Sequence, residues 1–469
     1  MPPRFLSRII QVALALASAT LIASCGGGGA GELGSGGTGV GTVTGFGSIY
    51  VDGTRFDDSN ASVKVDNDNT PDALVDGEAK LGQRVLVSFE TEGVAKSVTV
   101  QAELVGAVTA NAAGVLTVLG QTVLVNTDPA AGPVTQLAPY AAAADIAVAD
   151  IVEVHGVPRP QGNGFVIQAT RIEKRGALPQ FLRVSGVVAG LTTTAGGQFT
   201  VGALTVQLQG AVVVPISRAL ANGQSVVVWA RADSLQNVGG APTVTASLVR
   251  IREHIASSQK AYLGGLVTAL AGSRFSIGDT TVDFTNAVVT PRSADLVNGR
   301  YVLVRGDFGS DGVLVASEVK VRDGRLDADL RGTVTNYNAV TRGFRIRDVY
   351  VLPAPDVVYD SCPAVLADLL YVEVRGTLTA AGILARNIKC SAGEPPNAVI
   401  ERRGLASAPT GLRTFMLQPA TGAAIEVRWS ALTFFRDVAS DALTGRALRV
   451  EGVLAGNGTL LATKIRLDN

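Results

Sequence analysis

The chain is 469 residues long, and its 40 Lys and Arg residues balance 40 Asp and Glu residues to a formal net charge of zero. That balance removes any global field that would draw it to nucleic acid or to anionic lipid. Hydrophobic residues make up 47% of the chain and aromatics only 5%, which excludes a disordered class and leaves material for several folded units.

At the start, Arg4 and Arg8 precede an apolar run from Ile9 to Ala23. A basic segment, a run of that length and small residues at its end form the pattern of a secretory signal peptide over residues 1–24, too short to span a bilayer comfortably. Leu21, Ile22, Ala23 and Ser24, directly before Cys25, resemble the lipobox of bacterial lipoproteins. The resemblance implies that Cys25 becomes the first mature residue and anchors the chain through several acyl groups; one chain alone holds a protein only marginally. Gly26 in place of Asp implies, by the same resemblance, an outer-membrane lipoprotein of the bacterial envelope. An ordinary cleaved signal with an incidental cysteine is the alternative. Residues 25–39 are mostly glycine and read as a tether between lipid and first folded unit. Gly34-Ser-Gly36-Gly-Thr-Gly39 matches G-x-G-x-x-G. The dinucleotide fingerprint needs a strand before it and a helix after it, so it is not read as a phosphate loop.

One unit then recurs six times, at 40–102, 103–178, 179–257, 258–325, 326–393 and 394–469. Each opens on a short strand with an early glycine, at Gly41, Gly106, Gly186, Gly265, Gly332 and, more loosely, Gly404. A hairpin follows, as in Ile49-Tyr-Val51, Asp52-Gly53, Thr54-Arg-Phe56; Asp-Gly accepts the positive φ of a two-residue turn. Arg347-Asp348 is a poorer turn by this rule, and the fifth hairpin is expected to be weaker. After a variable segment comes a second signature, for example Tyr301-Val-Leu-Val304-Arg-Gly306 and Leu448-Arg-Val450-Glu-Gly452. A closing strand such as Ala462-Thr-Lys-Ile465-Arg-Leu467 places charges outward, the mark of a strand wet on one face. Five strands in this order predict an all-β chain of six tandem OB-like five-stranded barrels; an immunoglobulin-like sandwich is the alternative. Units of this size are near the limit of self-sufficiency, and the short links between them suggest sequential neighbours packed into a curved rod.

Gly45-Phe-Gly-Ser-Ile-Tyr-Val-Asp-Gly-Thr-Arg-Phe56, following a lipobox and glycine tether, resembles the opening of an uncharacterised bacterial family. Its members are secreted or lipid-anchored proteins with repeated β-barrel domains of unknown function. The resemblance is clearest over 40–102 and 260–322. It implies a fold and a compartment and no established activity.

Cys362 and Cys390 both fall in the fifth unit, where an oxidising envelope and an even count favour a disulfide over two buried thiols. His155 and His254 are the only histidines and lie in different units, which disfavours a His-based zinc site. Asp66, Asp68, Thr70 and Asp72 alternate as oxygen donors that could bind Ca²⁺, although Pro71 stands where an EF-hand loop needs glycine; a solvated acidic loop is the other reading. Asp327 and Asp329 could pair for glycosidic work, but carboxylates are common on wet strand faces. Nucleic acid would want a basic groove with stacking aromatics, and none is expected as a partner. Tyr50, Phe56 and Trp229 are the candidate platform aromatics, each also a natural packing residue.

The expected role is a non-catalytic binding or scaffold protein of the envelope, held in the membrane by Cys25, with a protein or glycan partner; tandem units favour it through multivalency. A calcium- or glycan-dependent surface adhesin is the alternative. An envelope enzyme comes third and needs a site formed between units.

Overall fold

The computed structural model describes residues 36–161, 164–192, 196–252, 260–324, 328–395 and 397–468. The signal peptide, Cys25, His254 and Asp327 lie outside the described residues. Among the described residues no helix is long and apolar enough to cross a membrane.

Short Val-, Ile- and Thr-rich runs punctuated by Gly and Asp dictate strands, and the only helical elements among the described residues are four 3-10 turns. The chain is all-β, with several five-stranded barrels. In the second segment Leu104–Ala112, Val115–Val118, Gln121–Val125, Ile151–Gln161 and Gly164–Lys174 close in the order first, second, third, fifth, fourth; the third and fifth run parallel. The same order closes the fourth segment, from Lys260–Ala271 to Leu314–Val321. It also closes the sixth, from Val399–Gly411 to Leu460–Leu467. The first, third and fifth segments come round through single bridges, Asp57 to Val94, Ala189 to Thr200 and Thr335 to Arg345. The first segment's connection is not irregular: Ser62–Asp66 and Leu74–Asp76 form an antiparallel arm.

The second signature has a backbone cause. Register slips at Arg305/Gly306, Arg375/Gly376 and Glu451/Gly452, each a bulge in the fourth strand of its segment. A Cβ added at Gly452 would lie 2.2 Å from the Leu461 carbonyl oxygen of the paired strand. Gly452→Ala is therefore expected to destabilise the sixth barrel by about 2–4 kcal/mol in urea denaturation. Gly456→Ala, where an added Cβ meets nothing within 4 Å, should change stability by less than about 0.5 kcal/mol. Equal effects at the two sites would show that the close approach is not what selects glycine.

The segments pack around a hub, and this corrects the expected rod. The first strand, Gly37–Phe46, pairs antiparallel with Arg84–Thr91 of its own segment and parallel with Lys260–Ala271 of the fourth. Its far end pairs parallel with Ala328–Thr333 of the fifth, Gly45 opposite Asp329. Glycine recurs along this strand where neighbours crowd it, while Thr38 and Val40 keep their side chains: a Cβ at Gly37 would lie 2.4 Å from the Phe89 ring and 2.5 Å from the Lys260 carbonyl. Residues 37–39, read from sequence as tether, are thus the start of this strand. The first and fifth segments share one hydrophobic core, and the second and third share another.

The Arg347-Asp348 hairpin forms in spite of its composition, with φ of 48° and 68°. It is held from outside: Arg347 Nε donates to Glu451 at 2.9 Å, and Asp348 accepts from Arg449 and Arg466 of the sixth segment. Cys362 and Cys390 are joined in a disulfide, Cα atoms 4.8 Å apart, at the edge of the fifth segment.

Candidate functional site

Where the first, second, fifth and sixth segments meet, a cleft of about 1520 Å³ opens. Phe46 to Ser48, at the end of the first strand, form part of its wall, with Arg55 and the Asp57–Val63 loop beside them. The second segment adds Gln136 to Tyr140, the fifth its hairpin from Arg345 to Tyr350, and the sixth the bulged stretch from Arg428 to Arg436. Nine Lys and Arg side chains line it against six carboxylates. Several of these cations pair with carboxylates outside the lining, Lys80 and Arg171 with Glu173, Arg428 with Glu426 and Arg449 with Asp468.

The cleft floor is a buried charge network. Glu401 and Glu451 are opposite each other on paired strands, with side chains 2% and 3% exposed. Arg466 reaches Glu401 at 3.2 Å, Arg403 reaches it at 3.2 Å, and Lys464 bridges Glu451 at 3.5 Å and Glu78 of the first segment at 2.5 Å. Arg436 also pairs with Glu78, at 2.7 Å. Burial alone would raise the Glu451 pKa, but Lys464, Arg347 and Arg466 hold it down at about 2. Glu401 goes the other way: burial, then the like charge of Glu451, raise it. Burial likewise raises Asp58, at the cleft wall, against the pull of Arg347. Side chains that alternation reads as wet are therefore dry, with Arg466 only 5% exposed.

The structure disposes of the residues singled out by sequence as follows. The acidic loop crosses onto the second and third segments, where Asp66 pairs with Arg183, Asp68 with Arg175, and Asp72 with Arg250 at 2.6 Å; Thr70 is exposed. Three of the four calcium candidates thus face guanidinium groups, and no group of three or more His, Cys, Asp or Glu able to hold a metal occurs among the described residues. Trp229, 2% exposed, lies between Arg183 and Arg250, whose guanidinium carbons are 5.2 and 5.0 Å from its ring. Phe56 is fully buried against Phe89 and Tyr262, and Tyr50 is 4% exposed. All three aromatics are packing residues. His155 is fully buried, its Nδ1 2.9 Å from the Gln101 carbonyl and its Nε2 2.8 Å from Glu153. Asp329 pairs with Arg375 at 3.1 Å. None of these residues lines the large cleft. The residues that do, Arg347, Asp348 and Glu451 foremost, left one signal in the sequence: a charged pair in a turn that ordinarily takes Asn-Gly or Asp-Gly.

Beneath the hub a second buried network docks the first segment on the fourth. Asp52, at the first hairpin turn, has a side chain 2% exposed. It accepts hydrogen bonds from the Thr42 amide and the Tyr301 hydroxyl, each at 3.0 Å, and Arg84 Nη1 lies 3.9 Å away. Arg84 Nη2 donates to the Gly264 carbonyl at 3.1 Å. Added Cβ atoms at Gly41 and Gly264 would lie 2.3 and 1.9 Å from the Asp52 carboxylate, so both glycines make room for it.

The family described as Domain of unknown function (DUF5666) matches three stretches, residues 105–173, 264–320 and 406–466. These are the three segments whose barrels close by continuous ladders, and the matches include the second and sixth segments, outside the stretches where the resemblance read from sequence is clearest. No curated protein matches the chain. Among solved structures, drosophila Unr CSD456 is similar at 12% identity over 46% of this chain and 98% of that one, with a TM-score of 0.13, too low to bear on the fold.

Proposed function

We propose that this chain is a lipid-anchored protein of the bacterial envelope whose six OB-like barrels act as a non-catalytic binding scaffold, with the cleft between the first, second, fifth and sixth barrels as its ligand site. The observation that carries this reading is the cleft itself. Barrels far apart in sequence are packed so that their charged walls enclose one space larger than a typical small-molecule pocket of about 300–1,000 Å³. Ion pairs at its floor tie the first and fifth segments to the sixth. The lipobox-like residues before Cys25 support the anchor, and the outer membrane remains the proposed address.

In-cell crosslinking of the lipidated protein, with bound proteins and glycans identified by mass spectrometry, tests this reading. A Cys25→Ser version serves as the released control. A defined partner that is recovered with the anchored form, and crosslinks to cleft residues, is the expected result. Crosslinks that map only to the outer barrel walls would sink the cleft as the site.

An enzyme is the second reading, favoured by one observation: in a single cleft, burial raises Asp58 while neighbouring cations hold Glu451 at about 2. Carboxyls pushed apart in this way can divide acid and base roles. Turnover of a bound ligand that disappears in Asp58→Asn, with binding intact, would establish it.

A further inference from the structure

We infer that the cleft recognises an acidic oligosaccharide, a chain of hydroxyl-rich sugars carrying spaced carboxylates or sulfates. The inference rests on the proposed reading of the cleft as the ligand site and names its ligand class.

Three features of the lining select this chemistry. The first is charge: nine cations line the cleft against six carboxylates, although Lys80, Arg171, Arg428 and Arg449 pair with Glu173, Glu426 and Asp468 outside the lining. Two cations are left over, because Arg55 and Arg345 pair with no carboxylate among the described residues. Arg55 Nε donates to the Ser48 hydroxyl at 3.1 Å, and Arg345 Nη1 donates to the Asp348 carbonyl at 2.6 Å while its guanidinium carbon lies 5.8 Å from the Tyr350 ring. Both side chains are exposed, one on the first segment and one on the fifth. Cations set on different segments suit a ligand whose negative charges are spaced along a chain.

The second feature is the density of neutral hydrogen-bonding side chains. Ser59, Asn60, Asn336, Asn397, Ser430 and Thr463 all line the cleft, on the first, fifth and sixth segments. Amides and hydroxyls donate and accept at once, and so match a ligand made of vicinal hydroxyl groups. The third is the state of the aromatic rings. Lys174 lies over Tyr140, Arg345 over Tyr350, and Trp429 packs against Phe415 and Phe435. Nucleobases, which bind by stacking on free rings, find little purchase on rings so engaged. An acidic peptide would satisfy the cations and offers the lining one backbone donor and one acceptor per residue, fewer hydrogen-bonding groups than the several hydroxyls of each sugar.

The purified full chain carrying Cys25→Ser tests this by calorimetric titration. The probes are oligogalacturonate of six to eight sugars, a neutral maltooligosaccharide of matched length, poly-Glu and a single-stranded oligothymidylate. The expected result is oligogalacturonate binding at least about tenfold tighter than each of the other three, weakened by added salt. The double variant Arg55→Ala/Arg345→Ala should lose about tenfold or more in affinity for it, with an unchanged melting curve because both side chains are exposed. Arg292→Ala, outside the cleft with its side chain 79% exposed, should bind as the parent does.

Equal binding of the neutral sugar would overturn the anionic requirement. Tighter binding of poly-Glu or of the oligothymidylate would overturn the sugar class while leaving a binding cleft. Binding to none of the four would overturn the inference alone, because the in-cell crosslinking above decides the cleft's role without reference to any of these probes.

Discussion

Glu451→Gln is expected to destabilise the sixth barrel by about 3–5 kcal/mol, whereas Glu401→Gln should change it by no more than about 1 kcal/mol. The two side chains are neighbours on paired strands and equally buried, so composition and exposure do not separate them. Their partners do. Arg347, Lys464 and Arg466 all act on Glu451 and hold its carboxyl at about 2. Removing its charge would leave a cluster of buried cations short of a counter-ion. Glu401 is raised, first by burial and then by Glu451 itself, so its neutral isostere relieves part of what it disrupts.

The pH dependence follows with opposite signs. A carboxyl depressed from its usual value of about 4.5 to about 2 contributes stability that is complete at neutral pH and is lost as pH falls from 4.5 toward 2, about 3 kcal/mol in all. Asp348 and Glu78 are also lowered, against the effect of their burial, by Arg466 and Lys464 respectively, and add to the same acid loss. Glu401 gains as pH falls through its raised folded value. Urea denaturation of the parent and both variants across pH 2 to 7 would check this. Equal losses for the two Gln variants at pH 7, or a parent profile flat below 4.5, would refute the assignment.

Asp52→Ala should cost about 3–5 kcal/mol and loosen the first segment from the fourth, while Asp52→Asn should cost about 1 kcal/mol. Alanine removes the carboxylate that accepts from the Thr42 amide and the Tyr301 hydroxyl, leaving the hydroxyl only the Thr42 Oγ1 at 3.3 Å, and leaves Arg84 without its counter-charge in a dry junction. Asparagine keeps one acceptor oxygen. Because burial is the main effect on Asp52 and raises its pKa, the ionised form is disfavoured in the fold, and loss of its charge is the lesser injury. Limited proteolysis between the third and fourth segments, alongside denaturation, provides the readout. Faster cleavage in Asp52→Ala than in Asp52→Asn is expected. Indistinguishable variants would mean that the docking rests on the strand pairing of Gly37–Val40 with Lys260–Leu263 and not on this carboxylate.

The sequence by itself determined the strands, because strand formation is local. Period-two alternation, Asp52-Gly53 at a turn and the glycine at each bulge act within a few residues, and the all-β barrels follow from them. Family resemblance was legible for the same reason, since it resides in those repeated local patterns. Only the tertiary structure decided which surfaces are wet. Outward charges at Glu401, Glu451 and Arg466 look solvated in a single barrel, and become a buried network once Arg347 and Asp348 of another barrel are laid over them. Residues 37 to 39 look like tether, and become strand because Arg84–Thr91 pairs with them on one side and Lys260–Ala271 on the other. The acidic loop looks like a cation site, and meets arginines more than a hundred positions away in the chain. The cleft belongs to the same class: its walls come from segments whose separation in sequence carries no trace of their contact, because burial and Coulomb energy depend on distance in space.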